Sequence, residues 1–154
     1  MPLNSRHMKY LPLLLLVLFL ACKNQNQDTA SSANTDTEAP ALPAGFSEFY
    51  QKFHSDSLYQ VEHIVFPLEG LPNNADSSTV ASKNFHWTPE NWRMQHPFDF
   101  QVSEYKREIV PLTESIVMER IVHQSGQFGM VRRFAVVGGE WHLIYYAGVN
   151  RLMQ

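Results

Sequence analysis

The stretch that decides the fold is residues 115–147, SIVMERIVHQSGQFGMVRRFAVVGGEWHLIYYA. The dipeptides Ser125-Gly126 and Gly138-Gly139 supply the glycine that tight hairpin turns favour. Strand-like residues fill the three segments that these dipeptides separate: 115–123, 128–137 and 140–147. The pattern therefore predicts an antiparallel meander of three strands.

Two-residue turns at both dipeptides would fix which side chains share a face, because side chains alternate across a sheet. Glu119 is then expected opposite Arg132, and Arg132 opposite Tyr145. These three polar groups would form a row across three strands, within a face that is otherwise apolar. Its apolar members are Val117, Ile121, Phe128, Met130, Phe134, Val136, Trp141 and Leu143.

Two interpretations of this row stay open. In the first, Glu119 and Arg132 form a satisfied cross-strand ion pair, joined by the hydroxyl of Tyr145. In the second, the three residues form the polar floor of a ligand-binding pocket, where Arg132 would hold a carboxylate or another anion. The two differ in whether water and ligands reach the row.

The opposite face of the meander is more apolar than a solvated face needs to be. Exposed faces of this kind often mark interfaces, so a homodimer through the sheet face is expected. The register places there Ile116, Met118, Val122, Val131, Ile144 and Tyr146, interrupted by Arg120, Arg133 and His142.

Upstream of the meander, aromatic residues predict a helix that buries one face. They lie at i, i+3, i+4 and i+7: Phe46, Phe49, Tyr50 and Phe53. Residues 62–66 predict a strand that Pro67 and Gly70 end, and residues 70–82 predict a polar loop.

A second helix is expected from Thr88 to about Gln95. Thr88 is a good N-cap, Pro89 suits the first helical position, and Trp87 and Trp92 can pack as a hydrophobic staple. From Tyr105 onward the chain is strand-like. Helices followed by an antiparallel meander predict an α+β domain with N-terminal helices packed on a curved antiparallel sheet.

Two resemblances extend this prediction. Residues 138–143, GGEWHL, resemble the G-x-W-x-L last strand of nuclear transport factor 2-like proteins, which implies a cone-shaped, cystatin-like α+β fold. Residues 46–70 are similar to a lipoprotein family of Bacteroidetes with no assigned function, which implies a location in the cell envelope. The matching residues are Phe49-Tyr50, Phe53, Asp56-Ser57, Gln60, His63-Ile64, Phe66-Pro67-Leu68 and Gly70.

The N-terminus predicts export and lipidation. Arg6 and Lys9 precede an apolar run at residues 11–20, which is too short to cross a bilayer core of about 30 Å. The run ends at Ala21 and Cys22, which resemble the lipobox of bacterial lipoproteins. The resemblance implies a signal peptide at residues 1–21 and diacylglycerol on Cys22. We expect the anchored protein in the bacterial cell envelope, with the outer membrane as the first expectation although the sequence leaves the choice of membrane open.

The rest of the chain divides at a change of composition. Residues 22–45 predict the lipidated cysteine and a disordered tether, because this polar stretch cannot bury enough surface to offset its ordering entropy. Residues 46–154 form the expected domain.

Composition excludes several function classes. The net charge of −3 and the lack of a clustered basic face argue against a nucleic-acid partner. Cys22 is the only cysteine, so no intramolecular disulfide is possible. No histidine pair has the H-x-x-x-H spacing of a metal site, and no nucleotide-binding or G-x-S-x-G motif occurs. No cofactor or metal is therefore expected.

The sequence favours a membrane-tethered envelope lipoprotein whose domain is a non-catalytic ligand-binding or interaction module. Its partner would be an unknown small ligand or an envelope protein. The alternative is a small-molecule enzyme of the isomerase, dehydratase or hydrolase type, with an acid/base pocket inside the cone. An enzyme would need a carboxylate or histidine with a strongly shifted pKa in an accessible cavity.

Overall fold

Three helices and six strands make up the part of the chain that the structure, a computed structural model, describes: residues 41–152. Their order is α1 (Phe46–Ser55), α2 (Ser57–Glu62), β1 (Ile64–Leu71), α3 (Ser77–Ser82), β2 (His86–Trp87), β3 (Tyr105–Thr113), β4 (Ile116–His123), β5 (Phe128–Val137) and β6 (Glu140–Arg151).

The strands form one sheet in the order β2-β1-β6-β5-β4-β3. Strands β3 to β6 are an antiparallel meander, β1 lies parallel to β6, and β2 pairs antiparallel with β1. The predicted α+β class and the predicted meander are confirmed. Strand β3 is one edge of the sheet, and β5 lies inside it.

Helix α1 packs its aromatic stripe on the sheet. It begins after Gly45, whose φ of 73° is in the left-handed region that glycine tolerates. Phe46 and Phe53 are fully buried, and both rings meet Phe134 of β5 edge-on, at centroid distances of 5.5 and 5.7 Å. These contacts show that α1 and the meander share one core. Burial of each such side chain stabilises the fold by about 1.5–3 kcal/mol.

A second helix, α2, lies where the sequence predicted no regular element. The carboxylate of Asp56 accepts hydrogen bonds from the backbone N–H groups of Leu58 and Tyr59, both at 3.0 Å, and so caps the helix. Strand β1 consequently begins at Ile64, later than predicted, and it runs on to Leu71. The predicted 70–82 loop also contains α3.

The predicted helix from Thr88 to Gln95 is wrong. Only one turn forms, in which the N–H groups of Asn91 and Trp92 donate to the carbonyl of Thr88. The Asn91 side chain accepts from the Thr88 N–H at 2.7 Å and donates to His86, so it closes the turn locally. The expected contact of Trp87 with Trp92 is present, with ring centroids 5.8 Å apart.

The last residues of the expected tether lie against the domain. Pro43 is buried, and the carbonyl of Ala44 accepts a hydrogen bond of 3.3 Å from the indole of Trp141. Cys22, the signal peptide and residues 22–40 of the tether lie outside the described residues. None of the helices within residues 41–152 has the length and apolarity needed to cross a membrane.

Candidate functional site

Glu119 and Arg132 form an ion pair in the middle of the sheet. Their Cα atoms are opposite each other across β4 and β5, as the sequence predicted. The Arg132 Nη1 atom lies 2.8 Å from Glu119 Oε2, and the two side chains are only 4% and 0% exposed. The first half of the predicted row is therefore confirmed.

Tyr145 does not complete the row, and its predicted place opposite Arg132 is wrong. The predicted pairs of Val136 with Trp141 and of Phe134 with Leu143 are present, but a bulge then shifts the register. A bulge adds one residue on one strand, so Arg133 pairs with Tyr145 and Arg132 with Tyr146.

The shift exchanges the faces of two tyrosines. Tyr145 lies on the outer face, where the guanidinium carbon of Arg133 is 4.9 Å from its ring centroid. Tyr146 is buried beside Trp87 and Trp92, with centroids 5.3 and 5.5 Å away. Strand β1 has its own register shift where it pairs with this part of β6, so the bulge fits a non-local partner that the meander sequence does not reveal.

Three residues that the sequence did not single out for a site surround the ion pair. The Tyr50 hydroxyl donates to Glu119 Oε1 at 2.5 Å. Arg132 Nη1 is 3.1 Å from Nε2 of His54, and its Nη2 donates to Gln95 Oε1 at 3.0 Å. We call Tyr50, His54, Gln95, Glu119 and Arg132 the charge cluster.

The tautomer of His54 follows from its partners. Its Nδ1 lies 2.9 Å from the carbonyl of Tyr50, which can only accept, so Nδ1 carries the proton. The lone pair of Nε2 then accepts from Arg132. Burial and the positive charge of Arg132 lower the pKa of His54 to about 4, so the ring is neutral at pH 7.

Tyr50 is held in its protonated form. Burial, the charge of Glu119 and the hydrogen bond to that carboxylate raise the pKa of Tyr50 to about 12, although Arg132 and Arg107 oppose the rise. Tyr50 and His54 are four residues apart on α1, so they lie on one face of the helix. That spacing is the signal from which the sequence could have predicted that both side chains face the polar row on the sheet.

A fully buried glutamine positions Gln95. Gln60 donates through Nε2 to the carbonyls of Phe53 and Gln95, at 2.6 and 2.9 Å. Its Oε1 accepts from the Trp92 indole and from the Gln95 backbone, at 3.1 and 2.8 Å. These four bonds hold the irregular segment after Trp92 against α1, and so bring the Gln95 amide to Arg132.

The cluster is a closed network. Among the buried side-chain nitrogen and oxygen atoms of residues 41–152, only Nε of Arg132 lacks a hydrogen-bond partner. The described residues include no group of three or more histidine, cysteine or acidic side chains that could hold a metal ion. The cluster thus joins α1, the Gln95 segment and the sheet, and its charged atoms are almost inaccessible to solvent.

Comparisons with protein-family models, with curated proteins and with solved structures found no match to this chain. The resemblances to nuclear transport factor 2-like proteins and to the lipoprotein family therefore rest on the sequence alone.

Proposed function

We propose that this protein is an envelope lipoprotein, tethered through Cys22, whose domain is a non-catalytic ligand-binding or interaction module. One observation supports the module most: Glu119 and Arg132, on the helix-facing side of the sheet, bond to each other and to neighbouring side chains, and solvent hardly reaches them. Arg132 and Glu119 are 3% and 1% exposed. For the domain we propose the cone-shaped fold of nuclear transport factor 2-like proteins, with the inside of the cone filled by side chains.

The enzyme alternative has weaker support. A general base must reach the proton that it abstracts, within about 2.6–3.2 Å. His54 is the candidate base because its lowered pKa keeps the ring neutral at pH 7. Its Nδ1, however, bonds to the Tyr50 carbonyl, and its Nε2 bonds to Arg132. Neither ring nitrogen is left to take a proton from a substrate unless the cluster opens.

The outer face of the sheet is the surface through which we propose a homodimer. It carries half-exposed apolar side chains, now with Tyr145 in place of Tyr146: Ile116, Met118, Val122, Val131, Ile144 and Tyr145. Sedimentation at tens of micromolar should give a dimer that Met118→Lys dissociates. The control Leu58→Lys, at an exposed position on α2 outside the sheet, should not. A monomeric wild-type protein would contradict the homodimer.

The tether is tested by mass spectrometry of protein extracted from membranes. The expected mature N-terminus is Cys22, carrying the mass of diacylglycerol. Cys22→Ala should move the protein from the membrane fraction to the soluble fraction. An unmodified Cys22 thiol, or a mature N-terminus elsewhere, contradicts the lipoprotein proposal.

A further inference from the structure

A second arginine, Arg107, lies on the same side of the sheet as Arg132, on the edge strand β3. Its Cα is paired with that of the buried Ile121, but its own side chain is exposed. The guanidinium carbon lies over two rings, 5.6 Å from the centroid of Tyr50 and 5.2 Å from that of Phe100. Cation–π contacts of this kind orient a guanidinium group while leaving its N–H donors free.

The charge of Arg107 has no acidic partner in the described part of the chain. The ion pairs formed by the arginines there, at up to 4.0 Å, are Arg120 with Glu108 and Arg132 with Glu119. Since a guanidinium fork matches a carboxylate in a bidentate way, Arg107 is available to an external anion.

A cleft opens beside this guanidinium. It has a volume of about 200 Å³ and lies between α1, the segment at Pro97-Phe98 and β3. Its walls are Tyr50, Gln51, His54, Pro97, Phe98 and Arg107. The volume equals that of about seven waters, enough for one aromatic ring with a small substituent.

The walls of the cleft combine flat apolar groups with one cation. Phe98 is 39% exposed although it is a large apolar side chain, and Pro97 is exposed beside it. Such surfaces favour the flat ring of an aromatic ligand, and Arg107 supplies the charge that complements a carboxylate. No carboxylate side chain lines this cleft.

The charge cluster holds two walls of the cleft in place. Tyr50 is fixed by its hydrogen bond to Glu119, and His54 by its contacts with Arg132 and with α1. Because these walls are ordered before binding, less conformational entropy is lost when a ligand binds. The ion pair of Glu119 and Arg132 thus orders the cleft through Tyr50 and His54, although neither charged residue lines it.

We propose that this cleft binds a small aromatic carboxylate, with the carboxylate on Arg107 and the ring against Phe98 and Pro97. The inference rests on the proposed function, because it assigns a site and a ligand class to the binding module. The carboxylate would accept two hydrogen bonds from the Arg107 fork.

Benzoate is a suitable probe, and the full-length protein in detergent is the sample. A ligand of this size should bind with a Kd of about 1–10 mM, measured by nuclear magnetic resonance titration. Arg107→Met should weaken binding at least about tenfold, and Arg107→Lys should weaken it less, since the charge stays and the fork is lost. The matched control Arg120→Met, which removes a partly exposed arginine outside this cleft, should bind benzoate as the wild type does.

Two further probes separate the two halves of the ligand. Acetate has the charge without the ring, and benzyl alcohol has the ring without the charge, so each should bind more weakly than benzoate. Equal benzoate affinity in Arg107→Met, or no saturable binding, overturns the cleft proposal. The module proposal fails separately: it is contradicted if the same spectra show that the protein converts benzoate, or another bound ligand, into a product.

Discussion

Arg132 and Arg107 lie on the same side of one sheet but in different surroundings. Arg132, on the interior strand β5, is 3% exposed and has Glu119, His54 and Gln95 as partners. Arg107, on the edge strand β3, is exposed and lies over two aromatic rings. Tyr50 contacts both: its hydroxyl donates to Glu119, and its ring lies beneath Arg107.

The difference shows how position in a sheet determines what an arginine can do. A buried charge must be compensated and hydrogen-bonded, because desolvation of a lone ion costs several kcal/mol. Arg132 is therefore committed to protein partners. At the edge, water solvates the guanidinium, so Arg107 needs no carboxylate and can exchange water for a ligand.

Removal of the Glu119 carboxylate should have the largest effect. Glu119→Ala leaves Arg132 buried with neutral partners only, and should lower the free energy of unfolding by about 3–5 kcal/mol. The matched control is Glu108→Ala, which breaks the exposed pair with Arg120, and should change it by less than about 1 kcal/mol. Urea denaturation measures both. A loss below about 1 kcal/mol for Glu119→Ala would mean that water reaches Arg132.

Removal of the whole ion pair should cost less than removal of one partner. The double variant Glu119→Met with Arg132→Met loses the desolvation penalty together with the pair. It still leaves the Tyr50 hydroxyl without its acceptor, so the addition of Tyr50→Phe should restore about 1 kcal/mol. Greater destabilisation by the double variant than by Glu119→Ala, in the same denaturation series, would contradict this account.

The neutral His54 should make stability depend on pH. Its pKa is about 4 in the folded protein and 6.5 in the unfolded chain, so the unfolded state binds more protons between those values. The stabilisation is fully present above about pH 6.5 and is lost as pH falls toward 4, by at most about 3 kcal/mol. Charged groups that face the ring include Arg132, Glu119 and Arg107.

Melting curves of the wild type and of His54→Gln, from pH 7.5 to 4, measure this contribution. A glutamine does not titrate, so the variant should lose less stability over that range. Parallel pH profiles for the two proteins would show that His54 is not the titrating group.

Substitution of Arg107 should have the smallest effect on stability. Arg107→Met removes an exposed cation and its ring contacts, so the free energy of unfolding should fall by only about 0.5–1 kcal/mol. Thermal unfolding is the measurement. A loss comparable to that of Glu119→Ala would indicate that Arg107 also supports the fold.

The sequence predicted the parts of the molecule that local rules control. The turn at Ser125-Gly126 fixes the register of β4 against β5, and this is why Glu119 was placed opposite Arg132 correctly. The bulge on β6 escaped prediction because it occurs where β6 also pairs with β1, a contact distant in sequence. The same holds for Gln95: its segment reads as a helix locally, but Gln60 binds its backbone instead.

The candidate site was only half predicted for a related reason. The aromatic stripe of α1 was interpreted as core, and Tyr50 does pack against Phe134, but its hydroxyl also reaches the ion pair. His54 continues that stripe by one turn, which the pattern of apolar residues does not include. Arg107 lay in a segment known only to be strand-like, and nothing local indicates that an irregular loop would build a cleft beside it.

The most direct test of the division between the two arginines is to observe both side chains during one titration. Arginine Nε–H resonances of the full-length protein should be recorded while benzoate is added. We predict a saturable shift of the Arg107 resonance, with that of Arg132 unchanged, because the buried guanidinium keeps its protein partners. A shift of the Arg132 resonance with benzoate, or the absence of any shift at Arg107, would contradict the account.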